Sequence, residues 1–172
     1  QGSILGPLLF IVFTNDMPGA VLESVAAVSQ DEVEIFMYAD DVTALIKSSS
    51  SGGFGRTAGR VRSSILEWCR GNCLVLNEDK TQMLTFGARG SDEAAVTLLG
   101  LRVDEAITWR AHTRALAKNL GKLLFLFRRL SSVISAKVLL TMYYGFFESR
   151  LRYGVLLWGN SSGAQAIFRQ QK

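Results

Sequence analysis

The sequence contains few of the residues that cross-link small proteins or bind transition metals, with two cysteines and one histidine among 172 residues, and it has only two prolines. Cys69 and Cys73 are four positions apart, a spacing typical of neither a zinc-ligand pair nor a secreted disulfide framework. We therefore expect reduced thiols and an intracellular protein. A chain of this length buries roughly two thirds of its unfolded surface, so it needs no disulfide or structural metal to hold a core.

The sequence also lacks a signal peptide and a long uninterrupted apolar run. Pro7, Asn15 and Asp16 interrupt the longest apolar stretch, so we expect a protein that is neither secreted nor membrane-spanning. No internal repeat is present. With 48% hydrophobic and 20% charged residues, the composition is that of a globular protein and excludes disordered, collagen-like and coiled-coil chains.

Acidic residues are scarce in the last part of the chain. Residues 101–172 hold 12 Lys and Arg against 3 Asp and Glu, a net charge of +9, whereas residues 1–100 hold 7 against 12, a net charge of −5. A cationic segment of this kind binds nucleic acid by neutralising phosphates and releasing counterions, although a solvated basic face has the same composition. The cations lie along predicted helices at Arg102, Arg110, Arg114, Lys118, Lys122, Arg128, Arg129 and Lys137.

Hydrophobic spacing predicts a mixture of helices and short strands. A helix is predicted after Pro7, ending at Pro18-Gly19, and a flexible loop at residues 48–55. The other predicted helices carry Val61, Ile65, Trp68 and Cys69; then Leu116, Leu120, Leu123, Leu124 and Phe127; then Val138 to Phe147; and a last short segment. Predicted strands lie at 33–38, 42–46, 81–86 and 96–103. The composition shift near residue 105 predicts a boundary between 1–104 and 105–172.

Two adjacent aspartates, Asp40 and Asp41, lie at the predicted turn between the strands at 33–38 and 42–46. Neighbouring side chains of a regular strand point to opposite faces, so the two carboxylates converge only where the backbone turns. Apolar flanking residues, Phe36 and Leu45 among them, would hold this tip. Repulsion between the carboxylates is relieved by a hard divalent cation such as Mg²⁺. An ordinary solvated turn is the alternative.

Four short motifs occur in one order along the chain. They are Gln1-Gly2-Ser3-x-Leu5-Gly6-Pro7-Leu8, Tyr38-Ala39-Asp40-Asp41, Leu76-Asn77-x-x-Lys80-Thr81 and Leu99-Gly100. Together they resemble the reverse transcriptase of non-LTR (LINE-type) retrotransposons. Later features also resemble that family: Trp109-x-x-His112, Tyr153-Gly154, Trp158-Gly159 and Ile167-Phe168.

The resemblance implies an α+β fold: the second half of a polymerase palm at 1–104, an antiparallel sheet with packed helices, and part of an all-helical thumb at 105–172. It implies RNA-directed DNA polymerase activity by two-metal nucleotidyl transfer with Mg²⁺. The implied partners are an RNA template, a DNA primer, deoxynucleoside triphosphates and the rest of a parent polyprotein, with no membrane. The implied setting is a nuclear and cytoplasmic ribonucleoprotein.

Roles for individual residues follow from the same resemblance. Asp40 and Asp41 would bind the catalytic metals, and Lys80 would lie near the triphosphate. The residues expected to contact the template base, the incoming nucleotide or the primer end are Gln1, Gly2, Ser3 and Tyr38. Leu99 and Gly100 would belong to the hairpin that grips the primer.

Each of these residues also has a purely structural interpretation. Residues 1–3 would then form a plain turn, Tyr38 would be a buried strand residue, Lys80 a solvated lysine, and Leu99-Gly100 part of a core. We expect His112 to be a helix-start or packing residue, not a catalyst. Core positions are expected for Trp68, Trp109 and Trp158.

The resemblance implies a further catalytic aspartate on a strand that precedes the Gln-Gly-Ser loop. The given sequence begins at Gln1, and this is its largest departure from the family pattern. The basic fingers are also expected before that point. We therefore expect this chain to be an inactive fragment of a longer polyprotein. The alternatives are a catalytically inactive remnant that binds nucleic acid and a host-adopted interaction module.

Overall fold

The computed structural model of the protein describes residues 3–86 and 95–171. The chain divides into two compact units, residues 1–80 and 81–172. Each unit combines helices with a two-stranded antiparallel sheet. The predicted α+β class is therefore confirmed.

The first unit combines a hairpin with helices on both sides of it in sequence. Its elements are α1 (Leu5–Thr14), α2 (Met17–Ala26), β1 (Glu32–Tyr38), β2 (Asp41–Lys47), α3 (Ser51–Gly71) and a single 3-10 turn (Glu78–Lys80). The strands agree with the predicted hairpin, because residues of alternating polarity place one apolar row on one face.

The predicted helix end at Pro18-Gly19 is wrong. Pro18 lies in the first turn of α2, where proline is tolerated because the N–H it lacks has no partner within the helix. Asn15 and Asp16 keep right-handed helical backbone angles between α1 and α2. A second helix, α2, therefore runs through the predicted end point to Ala26.

The predicted loop at 48–55 is also too long. Ser50 has extended backbone angles, and its Oγ accepts a hydrogen bond of 3.1 Å from the Gly53 N–H. A serine in this position satisfies one of the free amides at a helix start, so α3 begins within the Ser/Gly run.

The core of the first unit lies between one face of the hairpin and two helices. Its buried members come from α2 and α3 and are Met17, Val21, Val25, Val61, Ile65 and Cys69. Half-buried residues of both strands and Trp68 pack against this cluster. The hairpin thus has one covered face and one open face.

The second unit begins with a small hairpin and continues as helices. Its elements are β3 (Ala95–Leu98), β4 (Leu101–Asp104), α4 (Arg110–Leu130), α5 (Ala136–Met142), a π-helix (Tyr143–Glu148), α6 (Ser149–Arg152), α7 (Val155–Trp158) and α8 (Ala164–Gln171). Two strand predictions are wrong. Residues 81–86 form no strand, and the run at 96–103 is two strands joined by a turn at Leu99 and Gly100.

The long helix α4 organises the second core. The apolar stripe predicted along it is confirmed, because Leu116, Leu120 and Phe127 are buried and Leu123 and Leu124 pack against them. Other elements contribute the remaining buried residues, Phe147, Leu151, Trp158, Ala164 and Ile167. Spacing at i, i+4 and i+7 puts such residues on one face of a helix.

The compositional boundary predicted at 104/105 lies inside the second compact unit. Leu101 of β4 packs against the core cluster that α4 organises, so the small hairpin and the helices share one core. The assignment of residues 1–104 and 105–172 to separate subdomains stays a prediction.

Within the described ranges, one stretch, Leu5–Ala26, is long and apolar enough to cross a membrane by length and composition. Core helices and signal sequences meet the same criterion. Asn15 and Asp16, which were expected to interrupt the apolar stretch, keep right-handed helical backbone angles. On α2, Met17, Val21 and Val25 belong to the protein core, whereas α1 exposes most of its apolar side chains.

The turn of the β3–β4 hairpin predicts a stabilising substitution. Leu99 has φ +47° and Gly100 has φ +81°, and left-handed backbone angles are costly for leucine but tolerated by asparagine. Leu99→Asn should therefore raise the free energy of unfolding by about 1 kcal/mol in urea titrations. Leu98→Asn, one residue earlier in regular strand conformation, is the matched control and should be neutral or destabilising. A Leu99→Asn protein less stable than the Leu98→Asn protein would contradict this account.

Candidate active site

The β1–β2 hairpin places its acidic tip by an unbroken register. Pairing runs from Glu32 opposite Lys47 to Tyr38 opposite Asp41. Ala39 and Asp40 form the two-residue connection, and Ala39 takes the left-handed φ of +53° that such a turn demands. The predicted hairpin with acids at its tip is confirmed.

The inner face of this hairpin packs on α2 and α3. Directly opposed residues share a face, and the three inner pairs are Val33 with Ile46, Ile35 with Ala44, and Met37 with Val42. The last of these pairs lies next to the tip. Side-chain packing therefore reaches to within one residue pair of the acidic turn and fixes its position.

The outer face near the tip exposes an aromatic residue beside an acid. Tyr38 is 68% exposed and lies opposite Asp41, so the interpretation of Tyr38 as a buried strand residue is wrong. Phe36, one step back on this face, is 54% exposed. Phe36 and Leu45 were predicted to hold the tip in place. Both lie on the open face instead, because side chains alternate between the two faces of a strand.

The side chains of Asp40 and Asp41 are exposed, and their carboxylates make no hydrogen bond or ion pair with any other described residue. Two neighbouring carboxylates fit Mg²⁺, which usually takes one or two protein carboxylates and fills its remaining positions with water and phosphate oxygens. Within the described part of the chain, no group of three or more His, Cys, Asp or Glu side chains is arranged to hold a metal.

Lys80 ends the 3-10 turn Glu78–Lys80 and is exposed. Its backbone N–H donates a hydrogen bond of 3.2 Å to Asn77 Oδ1, which stabilises the turn. The side-chain ammonium takes no part in this bond. No hydrogen bond or ion pair in the described structure joins Lys80 to the hairpin tip. Its predicted proximity to a triphosphate stays a prediction.

The predicted nucleotide and template loop is only partly described. Gln1 and Gly2 lie outside the described residues. Ser3 is exposed, and its Oγ accepts a hydrogen bond of 3.3 Å from the Gly6 N–H at the start of α1. The serine hydroxyl thus satisfies a helix-start amide.

Leu99 and Gly100 form the exposed turn between β3 and β4. Leu99 is 41% exposed, so the alternative of plain core residues is wrong. Tyr153 Oη donates a hydrogen bond of 2.5 Å to the Leu99 carbonyl oxygen. A tyrosine that follows α6 therefore anchors the turn that the sequence predicts to contact a primer.

The later motif residues come together in one aromatic cluster of the second unit. His112 contacts the rings of Trp109 and Trp158, with centroids 6.2 and 5.9 Å away, and Trp158 stacks on Phe168. Trp158 is fully buried, and its Nε1–H donates to the Tyr153 carbonyl oxygen over 2.9 Å. His112 is a packing residue near the start of α4, as predicted.

The charge state of His112 is set by its surroundings. Burial, and then the nearby Arg102 guanidinium, lower the pKa of its imidazole below the ordinary value of 6.5. Its Nδ1 accepts a 3.3 Å hydrogen bond from the Arg102 backbone N–H. The neutral form with a proton on Nε2 is therefore favoured.

Comparison with known proteins gives one family. A sequence-family model described as "Reverse transcriptase (RNA-dependent DNA polymerase)" matches residues 1–103. The chain is 30% identical over 129 residues to the RNA-directed DNA polymerase from mobile element jockey of Drosophila funebris, an alignment covering 67% of this chain and 14% of the relative. It is 25% identical over 178 residues to the probable RNA-directed DNA polymerase from transposon BS of Drosophila melanogaster, covering 92% and 19%.

The chain therefore spans less than a fifth of the length of these curated relatives. No solved structure matches it.

The Tyr153 hydroxyl should contribute measurably to stability. Tyr153→Phe removes the donor to the Leu99 carbonyl and should lower the free energy of unfolding by about 1 kcal/mol, measured by chemical denaturation. Tyr144→Phe, which alters another exposed tyrosine of the same unit, is the control and should change stability little. Equal effects of the two substitutions would show that the hydroxyl contact is unimportant.

His112 should make stability pH-dependent. Because its folded-state pKa lies below the unfolded value of 6.5, the unfolded state binds more protons as the pH falls through 6.5, and stability is lost. We expect a larger drop in Tm for the unmodified protein than for His112→Asn between about pH 7.5 and about pH 5.5. The difference between the two proteins removes the contribution of all other titrating groups. Identical pH profiles would contradict the shift.

Proposed function

Because this chain belongs to the reverse transcriptase (RNA-dependent DNA polymerase) family, we propose that it supplies part of the polymerase centre of a non-LTR retrotransposon protein. In this proposal residues 1–104 are the second half of the palm and residues 105–172 are part of the thumb. The reaction is attack of a primer 3′-hydroxyl on a deoxynucleoside triphosphate, with release of pyrophosphate.

The observation that supports this proposal is the hairpin tip. Asp40 and Asp41 lie in and directly after a two-residue turn, exposed and without a cationic partner among the described residues. Two unneutralised carboxylates held by a packed hairpin form a preorganised oxygen-ligand pair, which an ordinary mobile surface turn lacks.

Asp40 and Asp41 would hold magnesium in this proposal. When bound, magnesium supplies Lewis-acid chemistry that makes a hydroxyl a better nucleophile and stabilises charge on a transferring phosphoryl group. The protein's contribution is the rigid placement of the two carboxylates. Asp40, within the turn, is the first ligand, and Asp41 is the second.

The other predicted site residues have supporting roles. Tyr38 offers an exposed ring on the same face as Asp41, suited to packing against the sugar or base at a primer end. The solvent-exposed ammonium of Lys80 would neutralise triphosphate charge or donate a proton to departing pyrophosphate. Gln1, Gly2 and Ser3 would contact the template base and incoming nucleotide, and Leu99 and Gly100 the primer.

The proposed partners are an RNA template, a DNA primer, deoxynucleoside triphosphates and the remainder of a parent polyprotein. The net charge of +9 over residues 101–172 supports contact with nucleic acid in the second unit. An intracellular ribonucleoprotein, nuclear and cytoplasmic, is part of the same proposal.

A second candidate function is nucleic-acid binding without catalysis. The basic second unit favours binding, and no three-residue metal-ligand group forms among the described residues. Binding alone would lose affinity steeply with salt, whether or not magnesium is present. An intact polymerase site would instead show a magnesium-dependent effect of nucleotide.

Magnesium binding tests the tip directly. The unmodified chain should take up Mg²⁺ in calorimetric titrations, and the double variant Asp40→Asn, Asp41→Asn should lose this binding because amides are neutral and weaker ligands. The matched control is Glu34→Gln, Glu67→Gln, which removes two exposed carboxylates of the same unit away from the tip. Equal loss in the control would assign the binding to general charge and contradict a metal site at the tip.

Catalysis is tested in a full-length polymerase that contains this segment. Asp40→Asn should lower nucleotide incorporation at least ~100-fold, because a group that stabilises the transition state is lost. Affinity for primer and template should change little. Retained incorporation would overturn the proposal, whereas failure of the unmodified protein to incorporate nucleotide, with binding intact, would favour the second candidate.

A further inference from the structure

The position of Lys80 depends on how its turn is attached to the first unit. Residues 72–77 connect α3 to the 3-10 turn without regular secondary structure. Along this connection the side chains of Leu74 and Leu76 pack against the core of the first unit. Apolar packing therefore holds the chain up to Leu76, two residues before the turn begins at Glu78.

Arg62 of α3 holds the turn itself. Its guanidinium forms an ion pair with the carboxylate of Glu78, the first residue of the turn. At the other end of the turn, the Lys80 N–H donates to Asn77 Oδ1, so the turn is closed between these two residues. An ion pair thus connects α3 to the short segment that carries the lysine.

The helix α3 also supports the acidic tip. Val61 and Ile65 lie in the core on which the inner face of the β1–β2 hairpin packs. Arg62 is the neighbour of Val61 and is about 100° further around the helix, so its side chain, 59% exposed, lies outside that core. One helix therefore contacts the hairpin through its buried face and the Lys80 turn through Arg62.

The ion pair also changes the charge around Lys80. Glu78 and Asp79 precede the lysine directly, so the turn alone carries a net charge of −1 and would repel a triphosphate. With Arg62 paired to Glu78, the sum of the four charges is zero. Arg62 therefore keeps one of the two adjacent carboxylates from competing for the lysine ammonium.

We propose that Arg62 is a positioning residue for Lys80, acting through its ion pair with Glu78. The pair holds the turn on α3 and neutralises a carboxylate beside the ammonium that meets the triphosphate. An exposed ion pair contributes little to folding, so the effect of Arg62 is on the location and the electrostatic surroundings of Lys80. This inference rests on the role of Lys80 in the proposed function.

Nucleotide incorporation by a full-length polymerase that contains this segment tests the proposal. Arg62→Gln should lower kcat/KM for the deoxynucleoside triphosphate about tenfold, because a displaced charged group stabilises the transition state less well. The Kd for primer and template should stay unchanged. The control is Arg70→Gln, which removes the same charge from an exposed position in the last turn of α3 and should retain most of the activity. Equal losses in the two variants would overturn the proposal.

A double-mutant cycle separates positioning of Lys80 from a general structural role. Lys80→Gln should itself lower kcat/KM, and Arg62→Gln added to Lys80→Gln should cause no further loss, because its effect passes through the ammonium. A further loss of the same factor would show a structural role and overturn the proposal.

Exchange of the two charges tests the ion pair. The double variant Arg62→Glu, Glu78→Arg keeps both the pair and the sum of charges, so it should recover most of the kcat/KM lost in Arg62→Gln. An exchanged variant as impaired as Arg62→Gln would contradict an action through this pair.

Amide hydrogen exchange in the chain itself gives a readout that needs no activity. The Lys80 N–H is hydrogen-bonded within the turn, so its exchange reports opening of the turn. Arg62→Gln should speed this exchange about threefold, the size expected for loss of an exposed ion pair, whereas Arg70→Gln should not change it. Unchanged exchange in Arg62→Gln would overturn the positioning role.

The outcomes for Asp40 and Lys80 separate this inference from the proposed function. If Asp40→Asn abolishes incorporation and Lys80→Gln lowers it, but Arg62→Gln does not, the inference fails and the proposed function stands. If Lys80→Gln leaves incorporation unchanged while Asp40→Asn abolishes it, the role of Lys80 fails and the inference fails with it.

Discussion

Packing of the inner face of the β1–β2 hairpin against α2 and α3 determines the geometry of the acidic tip. A two-stranded hairpin alone is marginally stable in water, so its conformation depends on the apolar row that the helices cover. Met37 and Val42, the inner pair nearest the turn, connect this packing to Asp40 and Asp41. The open face is consequently available for contacts. Tyr38 and Phe36 lie on it because they alternate along β1 with the inner residues.

The second unit uses the same division between a covered and an open side. Trp158, fully buried, binds the Tyr153 carbonyl through its indole N–H, while the Tyr153 hydroxyl binds the turn at Leu99. One tyrosine therefore links the helical core to the small hairpin by a bond at each end. His112 lies between the aromatic cluster and Arg102, so the position of β4 against α4 depends on the same packed side chains.

Sequence patterns predicted correctly those elements whose apolar residues recur at a regular spacing and therefore lie on one face. Alternation gave the β1–β2 hairpin, and the Leu116 to Phe127 stripe gave α4. The helix end predicted at Pro18 was wrong because proline is compatible both with the end of a helix and with its first turn. Burial of Val21 and Val25 in the core stabilises the second alternative, a helix that begins at this point. The proximity of Arg150 to Lys122 was not predicted, because only the packing of α6 and α4 brings these residues to one surface.

The π-helix at Tyr143–Glu148 affects which way the following residues face. A π-turn holds one residue more than the α-helical turn it replaces, and each residue of an α-helix advances about 100° around the axis. Converting this turn to a regular α-helix while keeping all its residues would rotate everything after it by about that angle. Ser149 and Arg150 would then leave the surface that they share with α4, while Leu151 would leave the core. The widened turn therefore sets the rotation of the short helix α6, which buries Leu151 and keeps Ser149 and Arg150 at the surface beside α4.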